Sequence, residues 1–546
     1  MSSRRLFTVL LAVVYLTVFP HLPGLNNPNE NTRVYLTMAL VDDHTVRLDQ
    51  VVQRYGWTND LARVPDGHGG RFYASPKGPL VSWLGVPAYA LLRAGAALVG
   101  HGPPPPGPPA DLATRERAKA WLRTTTLALQ LICVHVPCLL FLLALERRLV
   151  RWSADPTLRL GTVAAVGLGT NYLAYSFLFA SHALVAAAAF LALDALAVAR
   201  LRARRRRAVD PRAALVAGLL AAAPTLLEYQ GAALSVVLAL GAAYLLGRSR
   251  ALVAFAAGAA LGAAALGLHH WRAFGGPLHT GVLYMENPAF AAVWRQGVLG
   301  LRGLDPGALR ELLLDGGYGL LATSPWLVLG VVGAVAAPGL TRPPSPLARR
   351  WRRAELVMAS GMVAALVVLV ASEASWRGGW TIGPRYLGAT TALLALPALA
   401  LAEGLARRWP RSRETVRALF AGLALASFVR GGAIGLMVVT LPESIERPLS
   451  QLLLPFIERG VAPHHALHLL GWHGAGPWRL TALAAIGALV VATLAARARP
   501  LPRAARALGA LLVAALLLPS ALHLPPGHPD DGPNVRALFL RLWEPR

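Results

Sequence analysis

Apolar runs of roughly 16–22 residues recur along the whole of this 546-residue chain, and most are long enough to cross a hydrocarbon core of about 30 Å. That pattern leaves few folds open. In lipid every backbone N–H and C=O must be satisfied within the protein, so runs of this length become helices packed into a bundle. Composition agrees: 55% of residues are hydrophobic before the 52 glycines are counted, and only 15% are charged. A soluble multidomain enzyme and a disordered basic protein are both excluded. The formal net charge of +26 would point to nucleic acid if it lay on a polar, water-facing surface. On a chain this apolar, no nucleic-acid partner is expected. The expected fold class is an all-α polytopic membrane protein.

Hydropathy places 13 spans at about 6–21, 124–145, 160–180, 183–199, 213–228, 231–247, 251–269, 319–339, 356–372, 387–402, 418–438, 480–496 and 507–521. Residues 1–22 have the form of a signal peptide, but no small-x-small cleavage site follows, so they read as an uncleaved first helix. The stretch Pro79–Gly100 is also apolar. Treated as a span, it would put Glu146-Arg147-Arg148 and every later basic cluster outside the cell, against the positive-inside rule. Treated as a helix lying in the outer interface, with Trp83, Tyr89 and Arg93 suited to that depth, it restores the pattern.

Charge then orients the chain. The cytoplasmic segments of this topology hold 29 arginines against six acids, while the remainder holds 24 bases and 21 acids. The expected topology is N-terminus cytoplasmic and C-terminus extracytoplasmic, in a bacterial cytoplasmic (inner) membrane. The outer face carries a first loop at 22–123, further loops at 270–318, 373–386 and 439–479, and a short tail at 522–546. No inverted internal repeat of the kind common in transporters is visible.

The first outer loop concentrates the polar residues. Glu30 follows the first span within ten residues and Arg33 lies three further on, so both belong at the membrane surface. A carboxylate there, beside cations, suits a general base acting on a substrate held at the lipid boundary; Asn27-x-x-Glu30 also suits a plain helix cap. Only two lysines occur, Lys77 and Lys119, against 51 arginines. Arg385 sits in the glycine-rich turn Trp376-Arg377-Gly378-Gly379-Trp380-Thr381-Ile382-Gly383-Pro384-Arg385-Tyr386. Such a turn can aim a guanidinium at a phosphate, and the same residues also make an ordinary interfacial anchor. Ionisable residues within the apolar runs are Asp194 and Arg430, with Glu228 and His182 at run ends; each is a functional candidate because buried charge is costly in lipid. His269, His270 and His279 cluster loosely, without a carboxylate at ligand spacing, and no metal site is assigned. Cys133 and Cys138, five apart in one apolar run, read as small packing residues.

Taken together, the layout resembles the GT-C membrane glycosyltransferases, in particular the lipid A aminoarabinose transferase and protein O-mannosyltransferase groups (glycosyltransferase family 39-like). Asn29-Glu30-Asn31-Thr32-Arg33-Val34-Tyr35 is similar to their Asp-Glu-x-Arg-Tyr loop opening, with extra spacing and Asn for Asp. Lys77-Gly78-Pro79-Leu80 matches their Lys-Pro-Pro-Leu at three of four places, and Gly383-Pro384-Arg385-Tyr386 resembles a turn of bacterial members. The resemblance implies a transmembrane glycosyltransferase-like domain over 1–521. It implies Glu30 as catalytic base, with Lys77, Arg385 and Arg33 as contacts to the phosphate of a polyprenyl-phosphate sugar donor. Family members often carry a second acidic residue where the fourth helix begins; here that place reads Phe179-Ala180-Ser181-His182. Asp60 and Asp49 are therefore candidates to share the base role, and His182 and Tyr73 are further candidates. The sugar would arrive lipid-linked, so no cofactor is expected, and a glycan, lipid or protein would accept it. The competing expectation is a transporter or flippase of envelope lipids or glycans.

Overall fold

In the computed structural model, the residues described are 2–20, 27–206, 209–340 and 346–495. Among them nine helices of 18 or more residues are apolar enough to cross a membrane, and three further apolar helices are shorter. The expected span at 507–521, the tail 522–546 and the position of the C-terminus lie outside the described residues.

Helix α1 (Ser3–Thr17) starts at a Ser2 cap, and Tyr15 donates to the carbonyl of Gly167 at 2.7 Å. Strand β1 (Val18–Phe19) follows it. Helices α2 (Pro28–Asp42) and α3 (Asp49–Tyr55) precede an antiparallel hairpin of β2 (Ala62–Pro65) and β3 (Arg71–Ala74). Helix α4 (Leu80–Leu98) runs alongside α2: Ser82 Oγ donates to the Arg33 carbonyl at 3.0 Å, and Tyr89 donates to Asp42 at 2.8 Å. Helix α5 (Leu112–Leu149) has 38 residues, so it is about 57 Å long, nearly twice the hydrocarbon thickness. Its first half, which carries Arg115, Glu116, Arg117, Lys119 and Arg123, contributes the Trp121 ring against Tyr89 of α4. The wider π-turn Leu131–His135 divides the two halves.

Two expected spans are not continuous helices. The run 160–180 forms α6 (Pro156–Gly169), then breaks where Thr170 turns extended and caps the short α7 (Asn171–Tyr175). Residues 176–181 then loop before α8 (His182–Arg206). The run 319–339 likewise breaks at Ser324-Pro325, since proline lacks a donor and disfavours helix in the residue before it. In both cases hydropathy read the length correctly, but a local breaker decides the backbone.

The remaining long elements are α9 (Pro211–Leu227), α10 (Ala232–Leu246), α11 (Arg250–Phe274), α12 (Leu327–Leu340), α13 (Pro346–Ala371), α14 (Arg385–Arg408), α15 (Pro410–Met437) and α16 (Ala475–Leu494). Strand β4 (His464–His465), before α16, pairs with β1, so four very short strands qualify an otherwise helical fold. The helices share two ends. At one end lie the starts of α2, α8, α10 and α14 and the close of α9. At the other, Arg4 pairs with Glu146, Asp155 with Arg413 and Arg417, and Asp194 with Arg148 and Arg151. Asp194, a functional candidate by sequence, is thus held in an ion-pair network away from the first end. Arg430 donates to the carbonyls of Ala322 (2.5 Å) and Gly316 (3.1 Å), an arrangement that ties α15 to the broken segment before α12.

Candidate active site

Asn27 accepts the N–H groups of Asn29 (3.1 Å) and Glu30 (3.4 Å), and Pro28 opens the helix. Capping is therefore done by Asn27, and Glu30 turns inward. It is 5% exposed, and its Oε1 accepts the N–H of Phe179 at 2.5 Å and Nε2 of Gln130 at 2.7 Å. Burial raises its pKa, opposed by the Phe179 and Gln130 hydrogen bonds and by the charge of Arg33. A carboxyl raised in this way is a stronger base than an exposed one.

One turn on, Arg33 is fully buried. It donates to the carbonyl of Asn29 at 2.8 Å and to that residue's side-chain oxygen, to Ser181 Oγ at 3.1 Å and to Glu228 Oε2 at 3.5 Å. The Ser181 hydroxyl donates to the same Glu228 oxygen, which also lies 3.5 Å from His182 Nδ1. Burial lowers the Arg33 pKa, while Glu228 and Asp60 hold it up.

Lys77 reaches the group from the loop before α4. Its Nζ lies 2.7 Å from Asp60 Oδ2, with the two side chains 17% and 12% exposed. Burial lowers its pKa; Asp60 opposes this, and the guanidinium charges of Arg385 and Arg33 reinforce it. Gly78 explains the placement. A Cβ there would meet the carbonyl oxygens of Leu227 and Leu226 at 2.6 and 2.7 Å, so only glycine lets the loop rest on the end of α9, one residue from Glu228.

Arg385 closes the cluster. Asn171 donates to the Pro384 carbonyl and Tyr175 to that of Ile382, each at 3.2 Å, so the break after α6 straps down the glycine turn. Gly383 takes a positive φ of 61° within it. Arg385 Nη2 donates to the Tyr386 hydroxyl at 3.0 Å, and the guanidinium sits 4.8 Å from that ring's centroid. Beyond α13, Glu373 accepts from Gln230 Nε2 at 3.0 Å. Burial, with a further push from Glu228, raises the Glu373 pKa to about 7.

Glu30, Arg33, Asp60, Lys77, His182 and Arg385 are thus brought together. Asp49 and Tyr73 are not. Asp49 accepts the Tyr73 N–H at 3.3 Å and faces Arg63 at 3.9 Å, while the Tyr73 hydroxyl donates to Glu286 at 3.0 Å. They tie the hairpin to α3 and to the second outer loop. The ring nitrogens of His270 and His279 meet Tyr229 and the carbonyls of Pro277 and Phe274, and no metal-holding group occurs among the described residues. Glu373 and Gln130 also belong to the cluster and were not singled out from sequence, whereas Glu228 was a candidate there. The legible signal for Glu228 was its place at a run end, between two apolar segments.

Three cations, Lys77, Arg33 and Arg385, therefore surround Asp60 and Glu228. Among the described residues the buried Nε atoms of both arginines lack a hydrogen-bond partner. Unsatisfied charged donors are costly, and oxygens of an incoming anion would satisfy them. The chain is a polytopic helical membrane protein with a buried, cation-rich cluster beside a carboxylate at one end of its bundle. No family model and no curated protein matches it. Among solved structures it is similar to the crystal structure of ArnT from Cupriavidus metallidurans bound to undecaprenyl phosphate, at 15% identity and a TM-score of 0.41, covering 98% of this chain and 84% of that one.

Proposed function

We propose that the chain is a glycosyltransferase that moves a hexosyl or pentosyl unit from a polyprenyl-phosphate carrier to a glycan, lipid or protein acceptor. The work is done on the outer face of the bacterial cytoplasmic membrane. The observation that carries this reading is the convergence of Lys77, Arg33 and Arg385, two of them with unpartnered Nε donors, beside buried Glu30. Glu30 takes the proton from an acceptor hydroxyl or amine, and the freed lone pair attacks the anomeric carbon with inversion. The C–O bond to the lipid phosphate breaks, and its electron pair leaves on the phosphate. Preorganised cations stabilise that developing charge without rearranging. The sugar arrives activated, so the reaction requires no nucleotide or redox cofactor.

The basic end of the bundle is assigned to the cytoplasm, with the N-terminus, by the positive-inside rule. Helix α4 is assigned to the membrane surface, since it packs beside the charged first half of α5. A transporter would want its polar residues near the middle of the bundle. Here they gather at the ends: His182 and Arg200 of α8 are 18 residues, or about 27 Å, apart. Replacing Glu30 with Gln should abolish transfer of a lipid-linked sugar in membranes while insertion stays normal. Full activity in that variant would sink the assignment.

A further inference from the structure

At the opposite end from Glu30 and Lys77, a cavity of about 260 Å³ opens between α8, α10, α13 and the close of α5. Its wall is apolar, with Leu193, Ala197, Leu245 and Met358, and its polar lining is dominated by Arg151, Arg200 and Arg352. The acids there are already engaged. Glu355 takes Arg151 at 2.8 Å, and Asp194 takes Arg151 at 2.5 Å and Arg148 at 3.2 Å. Arg352 donates to the Arg151 carbonyl at 2.6 Å, and the guanidinium of Arg200 lies 4.7 Å from the Trp351 ring centroid.

What remains unsatisfied has one sign. Among the described residues, Arg151 Nε, Arg200 Nε and Trp152 Nε1 are buried without hydrogen-bond partners, and every orphaned side-chain atom of this lining is a donor. Trp152 is 3% exposed, so bulk water does not serve its N–H. Buried donors left bare cost free energy. Three of them around a lining with two more arginines than acids call for an anion with several acceptor oxygens. The apolar wall calls for a hydrocarbon attached to it. Arg200 lies seven residues, or about 10 Å, nearer this end of α8 than Leu193 does. Charge therefore sits at the outer level and apolar surface toward the middle of the bundle, the order of groups along a phospholipid.

We propose that this cavity seats the phosphodiester headgroup of an anionic glycerophospholipid, with Arg200 and Trp152 donating to the phosphate and the acyl chains passing Leu193 and Leu245. Basic pockets between helices on the cytoplasmic side are a known mode of lipid headgroup recognition. The site is independent of the transfer chemistry.

The experiment uses the full chain in detergent and measures binding of dihexanoyl-phosphatidylglycerol by native mass spectrometry. Dihexanoyl-phosphatidylcholine and inorganic phosphate are the comparison probes. The expected result is preferential binding of phosphatidylglycerol, with a loss of about tenfold or more in Arg200→Gln combined with Trp152→Phe, since each removes a donor to a charged acceptor. Arg200→Gln alone, whose side chain leaves the ion pairs of Arg151 untouched, should give a smaller loss in a protein of unchanged elution profile. Equal binding of the two lipids would overturn the proposal, as would wild-type affinity in folded Arg200→Gln. Saturation of the site by inorganic phosphate with no added gain from the lipid would also overturn it, in favour of a soluble anion.

Discussion

The Lys77–Asp60 pair gives a prediction whose size follows from the geometry. Burial lowers the Lys77 pKa and Asp60, at 2.7 Å, holds it up. At that distance and an effective dielectric of about 20, the gross attraction is about 6 kcal/mol. Desolvation of both partners offsets part of it, and breaking such a pair from one side costs about 3–5 kcal/mol. The sign is fixed: Asp60→Asn removes the group that favours the ammonium, so the proton leaves at lower pH. With two lysines in the chain, Lys77 and Lys119, ε-13C-lysine labelling yields two side-chain signals, assigned by Lys119→Arg. In Asp60→Asn the midpoint of Lys77 should fall, because burial is then no longer opposed by the carboxylate. An unmoved or raised Lys77 midpoint in Asp60→Asn would refute the reasoning.

The same arithmetic applies elsewhere. Glu373 has its pKa raised from 4.5 to about 7, so its contribution to stability is complete below about 4.5 and is lost as pH rises through 7. Glu373→Gln should therefore raise the apparent melting temperature at pH 8, by an amount reflecting about 3 kcal/mol, and leave it unmoved near pH 4. Glu228→Gln strips the carboxylate charge from fully buried Arg33 and should destabilise the fold by about 2 kcal/mol or more, read as a lower midpoint in thermal unfolding followed by tryptophan fluorescence. Asp49→Ala unties the hairpin from α3 without touching the cation cluster. Transfer should stay within about threefold of wild type, a change of less than 1 kcal/mol at the transition state, while proteolysis within 56–75 accelerates.

Much of this was legible in the sequence, for identifiable reasons. Span lengths are set by lipid thickness, so hydropathy located the segments. It missed the breaks at Thr170 and Pro325 because a short breaker leaves the average apolarity unchanged. Glu30, Arg33, Lys77 and Arg385 were found because each sits in a short polar motif at a span boundary. Glu228 and Glu373 join them only through the packing of α9, α10 and α13, which no linear spacing records. Asp49 was drawn in as an acid of the first loop that could stand in for the one missing before the fourth helix, and Tyr73 as a further candidate in that loop. Asp49, at the start of α3, faces Arg63 instead, and the Tyr73 hydroxyl on the hairpin donates to Glu286.

The distribution of acids explains why one net charge does two jobs. At the basic end, the six acids of the segments read as cytoplasmic are all engaged. Glu146, Asp155, Glu355, Glu403 and Glu414 pair with arginines, and Asp210 caps α9. The surplus of arginine in those segments is what the positive-inside rule uses to orient the chain, and among the described residues it leaves bare donors around one cavity. At the opposite end Lys77, Arg33 and Arg385 lie buried with the carboxyls of Glu30, Asp60, Glu228 and Glu373, and the Nε donors of both arginines are bare. Bare charged donors cost far more buried than exposed, and the oxygens of an anion are what would satisfy them.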